Sequence, residues 1–141
     1  LILAANLLPT GQYILSRYRQ GSGYTTPQWQ NAELIHTVNS VSALRTYFSN
    51  DPAGVLLYTN YAPYDITGFN FDQPFLEQNN YLTDQFNNWM GTLLLFQPAY
   101  LNPTDEETAP IDFSTFTEGL EPIYRGADGE IYTAVYSESE D

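Results

Sequence analysis

Seventeen carboxylates, four arginines, one histidine and no cysteine or lysine are the groups from which this chain of 141 residues can build chemistry. The missing cysteine removes disulfides, thiolate catalysis and thiolate-bound zinc or iron–sulfur clusters. The missing lysine removes a complete phosphate-binding P-loop and Schiff-base chemistry. A Ser-His-Asp triad would have to use His36, which lies in a helical pattern, and "QGSGY" has the wrong spacing for a nucleophile elbow. The sequence contains neither H-E-x-x-H nor G-x-G-x-x-G. Paired-carboxylate chemistry survives, as in glycoside hydrolysis, but seventeen acids single out no pair. The expectation is a protein that is not an enzyme and carries no cofactor.

Calcium is the one metal to weigh. "DITGFNFDQPFLE" offers the hard oxygen ligands Asp65, Asn70, Asp72 and Glu77, but the EF-hand spacing is not met. Asp65 reads better as a turn residue, Asp72 as a helix cap and Glu77 as part of a solvated helix face. No metal site is expected.

The aromatic run "LLYTNYAPYDITGFNFDQ" (56–73) holds Tyr58, Tyr61, Tyr64, Phe69 and Phe71. Read as a hairpin over 55–71, it divides these rings between two faces and leaves a tyrosine contact patch, Tyr61 and Tyr64, at the turn. Exposed aromatics beside Asn, Asp and Gln also suit sugar stacking, with Trp29, Tyr61, Tyr64 and Phe69 as candidates.

The formal net charge is −13. Without clustered cations the chain is unsuited to nucleic-acid backbones or anionic membrane surfaces, and "LILAANLL" is too short to span a bilayer. The charge is uneven. Arg17, Arg19 and Arg45 against Glu33 and Asp51 give residues 1–64 a net +1, while Arg125 against fifteen acids gives residues 65–141 a net −14. Two differently charged faces would suit stacking between copies.

The elements that must position these groups follow from periodicity. "GQYILSRYR" (11–19) alternates as a strand. Residues 31–48 put Leu34, Val38, Val41 and Phe48 at helical offsets, and 72–96 carries the stripe Leu82, Phe86, Trp89, Leu93, Phe96. Residues 97–116 read as a loop, and 121–136 as a hairpin turning at "GADG". The resulting order predicts an α+β domain over 1–136 with an acidic segment at 137–141. Its sheet would be antiparallel, with two helices on one face, in ferredoxin-like β-α-β-β-α-β order with an added C-terminal hairpin. The expected core is Leu34, Val38, Val41, Leu56, Leu82, Phe86, Trp89, Leu93 and Phe96.

Composition then points to a non-enzymatic structural or adaptor subunit. It would assemble through protein–protein contacts, with copies of itself or with other subunits, in a larger particle such as a phage head–tail or tail component. A virion or extracellular setting is favoured over the cytoplasm. Tyrosine suits such interfaces because it is amphipathic and loses little rotamer entropy. Expected contact residues are Tyr61, Tyr64, Arg17, Arg19 and the loop acids Asp105, Glu106 and Glu107. The alternatives are a carbohydrate- or receptor-binding module and an acidic mimic of nucleic acid that inhibits a basic groove.

Overall fold

The structure, a computed structural model, describes Tyr24 and residues 26–40, 45–103 and 109–135. Among them the chain forms α1 (Pro27–Gln30), α2 (Glu33–Ser40), β1 (Thr46–Ser49), α3 (Pro52–Thr59), β2 (Tyr64–Asp65), α4 (Phe75–Gln78), α5 (Asn80–Asn88), β3 (Gly91–Phe96), α6 (Pro98–Leu101), β4 (Leu120–Gly126) and β5 (Gly129–Ala134). The strand expected at 11–19 and the core candidate Val41 lie outside the described residues.

Five strands make one sheet in the order β2-β1-β3-β5-β4. β1 pairs in parallel with both β2 and β3, while β3–β5 and β5–β4 are antiparallel. The domain is α+β, but its sheet is mixed. The expected antiparallel, ferredoxin-like arrangement is therefore incorrect.

The error has a physical source in β3. All six residues of "GTLLLF" are buried. Leu94 and Phe96 pack with Trp29, Leu34, Ile35, Val38, Val55 and Leu101 on one face. Leu93 and Leu95 pack with Phe48, Phe75, Phe86, Phe113 and Phe116 on the other. A strand buried on both faces reads as a continuous apolar run, from which a helical stripe can also be picked. The helix predicted over 72–96 in fact stops at Asn88. Trp89 is its C-cap, and Met90, at φ 52°, turns the chain into β3. Trp89, expected in the core, is 61% exposed.

The same competition operates at 31–48. Leu34 and Val38 are buried as expected, but α2 ends at Ser40, and Phe48 belongs to β1. The hairpin expected over 55–71 is instead α3 followed by the two-residue strand β2. "VLLYTNY" is β-prone by residue type. Its helix is nevertheless started by the Asp51 carboxylate, which accepts from Gly54 N at 2.9 Å, and by Pro52 in the first turn. It is closed by Asn60 in the left-handed conformation.

The C-terminal hairpin matches the reading of "GADG". β4 and β5 meet at Gly126 and Gly129, with Ala127 and Asp128 between them. Gly129 has φ 151°, and a Cβ there would sit 2.1 Å from the Leu95 carbonyl oxygen, so the turn requires glycine. Among the described residues β4 is an edge strand, interrupted by Pro122 and by a register shift between Pro122 and Tyr124.

Removing a ring from the two-sided core should be costly, whereas removing an exposed ring should not. Phe86→Ala should destabilise by about 3–5 kcal/mol. Trp89→Ala should stay within about 0.5 kcal/mol. Urea melts of both variants check the assignment; equal losses would restore the continuous helix through 96.

Candidate functional site

Sheets with parallel strands usually offer ligand sites at the carboxyl ends of those strands, where neighbouring connections diverge. Here that point lies between β1 and β3. The chain leaves β1 towards β2, but leaves β3 towards the β4–β5 hairpin.

The crevice is filled from within. Asn50 follows β1 and bridges to β3: its Nδ2 donates to Phe96 O at 3.0 Å, and its Oδ1 accepts from Phe96 N at 2.8 Å. Asp51 caps α3 and also accepts from the Tyr24 hydroxyl at 2.8 Å. An anion at this helix N-terminus would have to displace the chain's own carboxylate. Trp29 closes the site from above. Fully buried, it lies edge-on to Tyr24, parallel to Tyr58 and 5.0 Å from the Phe96 ring centroid. Its Nε1 donates to Asn102 Oδ1 at 3.2 Å. Only glycine fits at 54, because a Cβ would meet the indole at 2.4 Å.

A second carboxylate is treated the same way. Asp128, in the hairpin turn, is buried; it accepts from Leu34 N in the first turn of α2 at 2.8 Å and from the Tyr124 hydroxyl at 2.7 Å. Gln97, which follows β3, donates its backbone N–H to Asp128 O and pairs its side-chain amide with the backbone of Ile111 in both directions. Burial, the hydrogen bond to Asp51 and the Asp51 charge together push the Tyr24 phenol up to about 12. The same causes, with Asp128 as partner, push Tyr124 up as well. Both phenols keep their protons at neutral pH and donate them to carboxylates, which ties Tyr24 to the start of α3 and Tyr124 to the hairpin turn.

Beside this network lies an open depression of about 420 Å³ lined by Gln97, Ala99, Tyr100, Pro110, Gly126 and Ala127. Its most exposed ring is Tyr100, and the amide of Gln97 is turned away to Ile111.

The structure disperses the residues singled out from sequence. Tyr61 is half-buried with its ring stacked 4.9 Å from buried Tyr47, and Tyr64 is stacked 5.0 Å from buried Phe48. Each has one ring face covered. They lie on either side of the sheet's two cores and not on a shared turn. Phe69, partly buried, packs against Phe75 and Phe116, and Trp29 is inaccessible. Leu56, expected in the core, is exposed. Arg17, Arg19, Asp105, Glu106 and Glu107 lie outside the described residues.

The calcium candidates do not converge. Asp65 accepts from Thr67 N and Oγ1, which hold its carboxyl below the usual range, and Asn70 accepts from Asp72 N. Among the described residues no group of three acids or histidines is placed to hold a metal ion. The residues that sequence reasoning missed are Asn50, Asp51, Gln97 and Asp128. "NDP" carried a helix-start signal in its Asp-Pro pair, whereas nothing local marks Asn50 or Gln97 as bridges to distant backbone.

Comparison with protein-family models, curated proteins and solved structures finds no match.

The Tyr24–Asp51 pair predicts an alkaline signature. A phenol whose pKa is raised on folding contributes stability that is complete below pH about 10 and lost as pH rises towards about 12. Tyr24→Phe should be less stable than the parent at pH 8 and should converge with it above pH 12. Thermal melts across that range check this; a constant gap at every pH would show that the phenolic proton is not what Asp51 holds.

Proposed function

We propose that this protein is a non-enzymatic structural or adaptor subunit that assembles through protein–protein contacts in a larger particle, of the kind found in phage head–tail or tail assemblies. Helix α3 carries the reading. A helix that is apolar all round is normally buried all round. The sequence of α3, "PAGVLLYT", has no charged side chain. It buries Val55 and Thr59 but leaves Leu56 52% and Leu57 61% exposed, side by side. Adjacent large apolar side chains at such exposure are the usual mark of an interface.

The carboxyl end of the sheet agrees with a non-catalytic role. Asp51, Asp128, Asn50 and Gln97 are engaged in holding elements together, and the tyrosines beside them are held protonated. β-Strand addition is a poor route to assembly, because among the described residues one sheet edge has two residues and the other is interrupted by proline and a register shift. The contact is therefore assigned to side chains of α3.

Light scattering across a concentration series tests this. The parent should show a mass rising above 16.0 kDa, and the Leu56→Glu/Leu57→Glu variant should weaken that association at least tenfold with an unchanged melting temperature. A parent that stays monomeric, and binds no co-encoded structural protein, would contradict the proposal. A variant that melts early without changing mass would show instead that α3 is covered by its own chain.

A further inference from the structure

Helix α5 has an outer side unlike that of an ordinary surface helix. Its inner side buries Phe86 and half-buries Leu82. The opposite side of such a helix normally carries charge. Here it carries the two most exposed aromatic rings among the described residues, Tyr81 at 63% and the C-cap Trp89 at 61%. Residues four apart line up as ridges on a helix. Tyr81, Gln85 and Trp89 form one ridge, kept in helical phase to its end by the bond from Trp89 N to Gln85 O. Asn80, Asp84 and Asn88 form the ridge beside it. The eight residues from Tyr81 to Trp89 set the two rings about 12 Å apart along the axis.

All of these side chains are exposed except that of Gln85, which is half-buried. None of the six has a side-chain hydrogen bond, ion pair or ring contact among the described residues. Elsewhere the same groups are committed. The hydroxyls of Tyr24, Tyr124 and Tyr132 donate to carboxylates, and the amides of Asn50 and Gln97 donate to backbone. The outer side of α5 therefore offers planar apolar surface at two points, with free donors and acceptors between and beside them.

We infer that this side of α5 is a binding site for a neutral oligosaccharide, with Tyr81 and Trp89 each stacking on a sugar ring and the amides and Asp84 bonding its hydroxyls. Three observations select that class. The core of a protein interface is a continuous apolar patch, whereas here the rings are separated by polar groups and no aliphatic side chain lies between them. The two ridges carry an acid and no base, in a chain of net charge −13, which disfavours phosphate, sulfate and carboxylate ligands. The distance between the rings suits several linked sugars better than one. Binding at so open a face buries little of the ligand and is expected in the millimolar range. The inference is independent of the role assigned to α3.

Trp89 is one of only two tryptophans and the other, Trp29, is inaccessible, so quenching by acrylamide reports on this face. The probes are neutral hexasaccharides of glucose, of mannose and of N-acetylglucosamine, titrated to millimolar concentration into dilute protein. At least one should reduce quenching at least twofold and shift the backbone ¹⁵N–¹H NMR signals of Asp84 and Asn88. Read by those signals, Tyr81→Ala and Trp89→Ala should each weaken binding at least tenfold with an unchanged melting temperature. The Leu56→Glu/Leu57→Glu variant should bind as the parent does, so the two surfaces fail separately. Silence with every probe, binding undiminished in both ring variants, or a preference for a sulfated hexasaccharide over its neutral counterpart would overturn the proposal. Shielding of Trp89 that grows with protein concentration in the absence of sugar would also overturn it, since the face would then belong to a second copy.

Discussion

The structure depends on burying one strand from both sides. β3 offers no polar face: Leu93, Leu94, Leu95 and Phe96 are all inaccessible. Each such side chain stabilises by roughly 1.5–3 kcal/mol only if a layer covers it. Two layers are therefore obligatory. α1, α2, α3 and α6 supply one, and α4, α5 and the Phe113–Phe116 segment supply the other. Two neighbours in the sheet are obligatory as well, because every buried backbone group of β3 needs a partner. β1 and β5 provide them, one parallel and one antiparallel.

Once β3 is fixed, its two ends have different characters. At the carboxyl end, Asn50, Gln97 and Asp128 bond to backbone of elements far away in sequence, and Asp51 accepts from the distant Tyr24 hydroxyl. They tie the loops after β1 and β3 and the β4–β5 turn to the elements around Phe96. At the amino end, Met90 at φ 52° reverses the chain, and the strand enters beside Arg45 and Thr92. On the surface, α3 carries no charged side chain and leaves Leu56 and Leu57 exposed.

Those features differ in how far the sequence exposes them. The hairpin 121–136 is legible because a Gly-flanked turn and strict alternation are both local signals. Leu34, Val38 and Phe86 are legible as core because genuine helices carry them. β3 is not, because its six buried residues satisfy a 3.5-residue spacing as readily as a strand's, and the true helix immediately before it supplies Leu82 and Phe86 in phase. β1 is only four residues long and its last three are all buried, so "TYFS" has no alternation to detect. In α3, a cap and a tryptophan seated on Gly54 override a β-prone composition, and Trp29 comes from a segment more than twenty residues away. The candidate site was least legible, since Asn50 and Gln97 act through backbone partners that only the folded topology brings within reach.

The central claim is that residues 91–96 form a strand between β1 and β5 and do not extend α5. Interstrand proton contacts measured by NMR test it most directly. The register predicts short backbone contacts from Leu93 to Phe48 on one side and to Tyr132 on the other. A run of i to i+3 contacts continuing from Phe86 through Leu93 to Phe96, with neither cross-strand contact present, would contradict it.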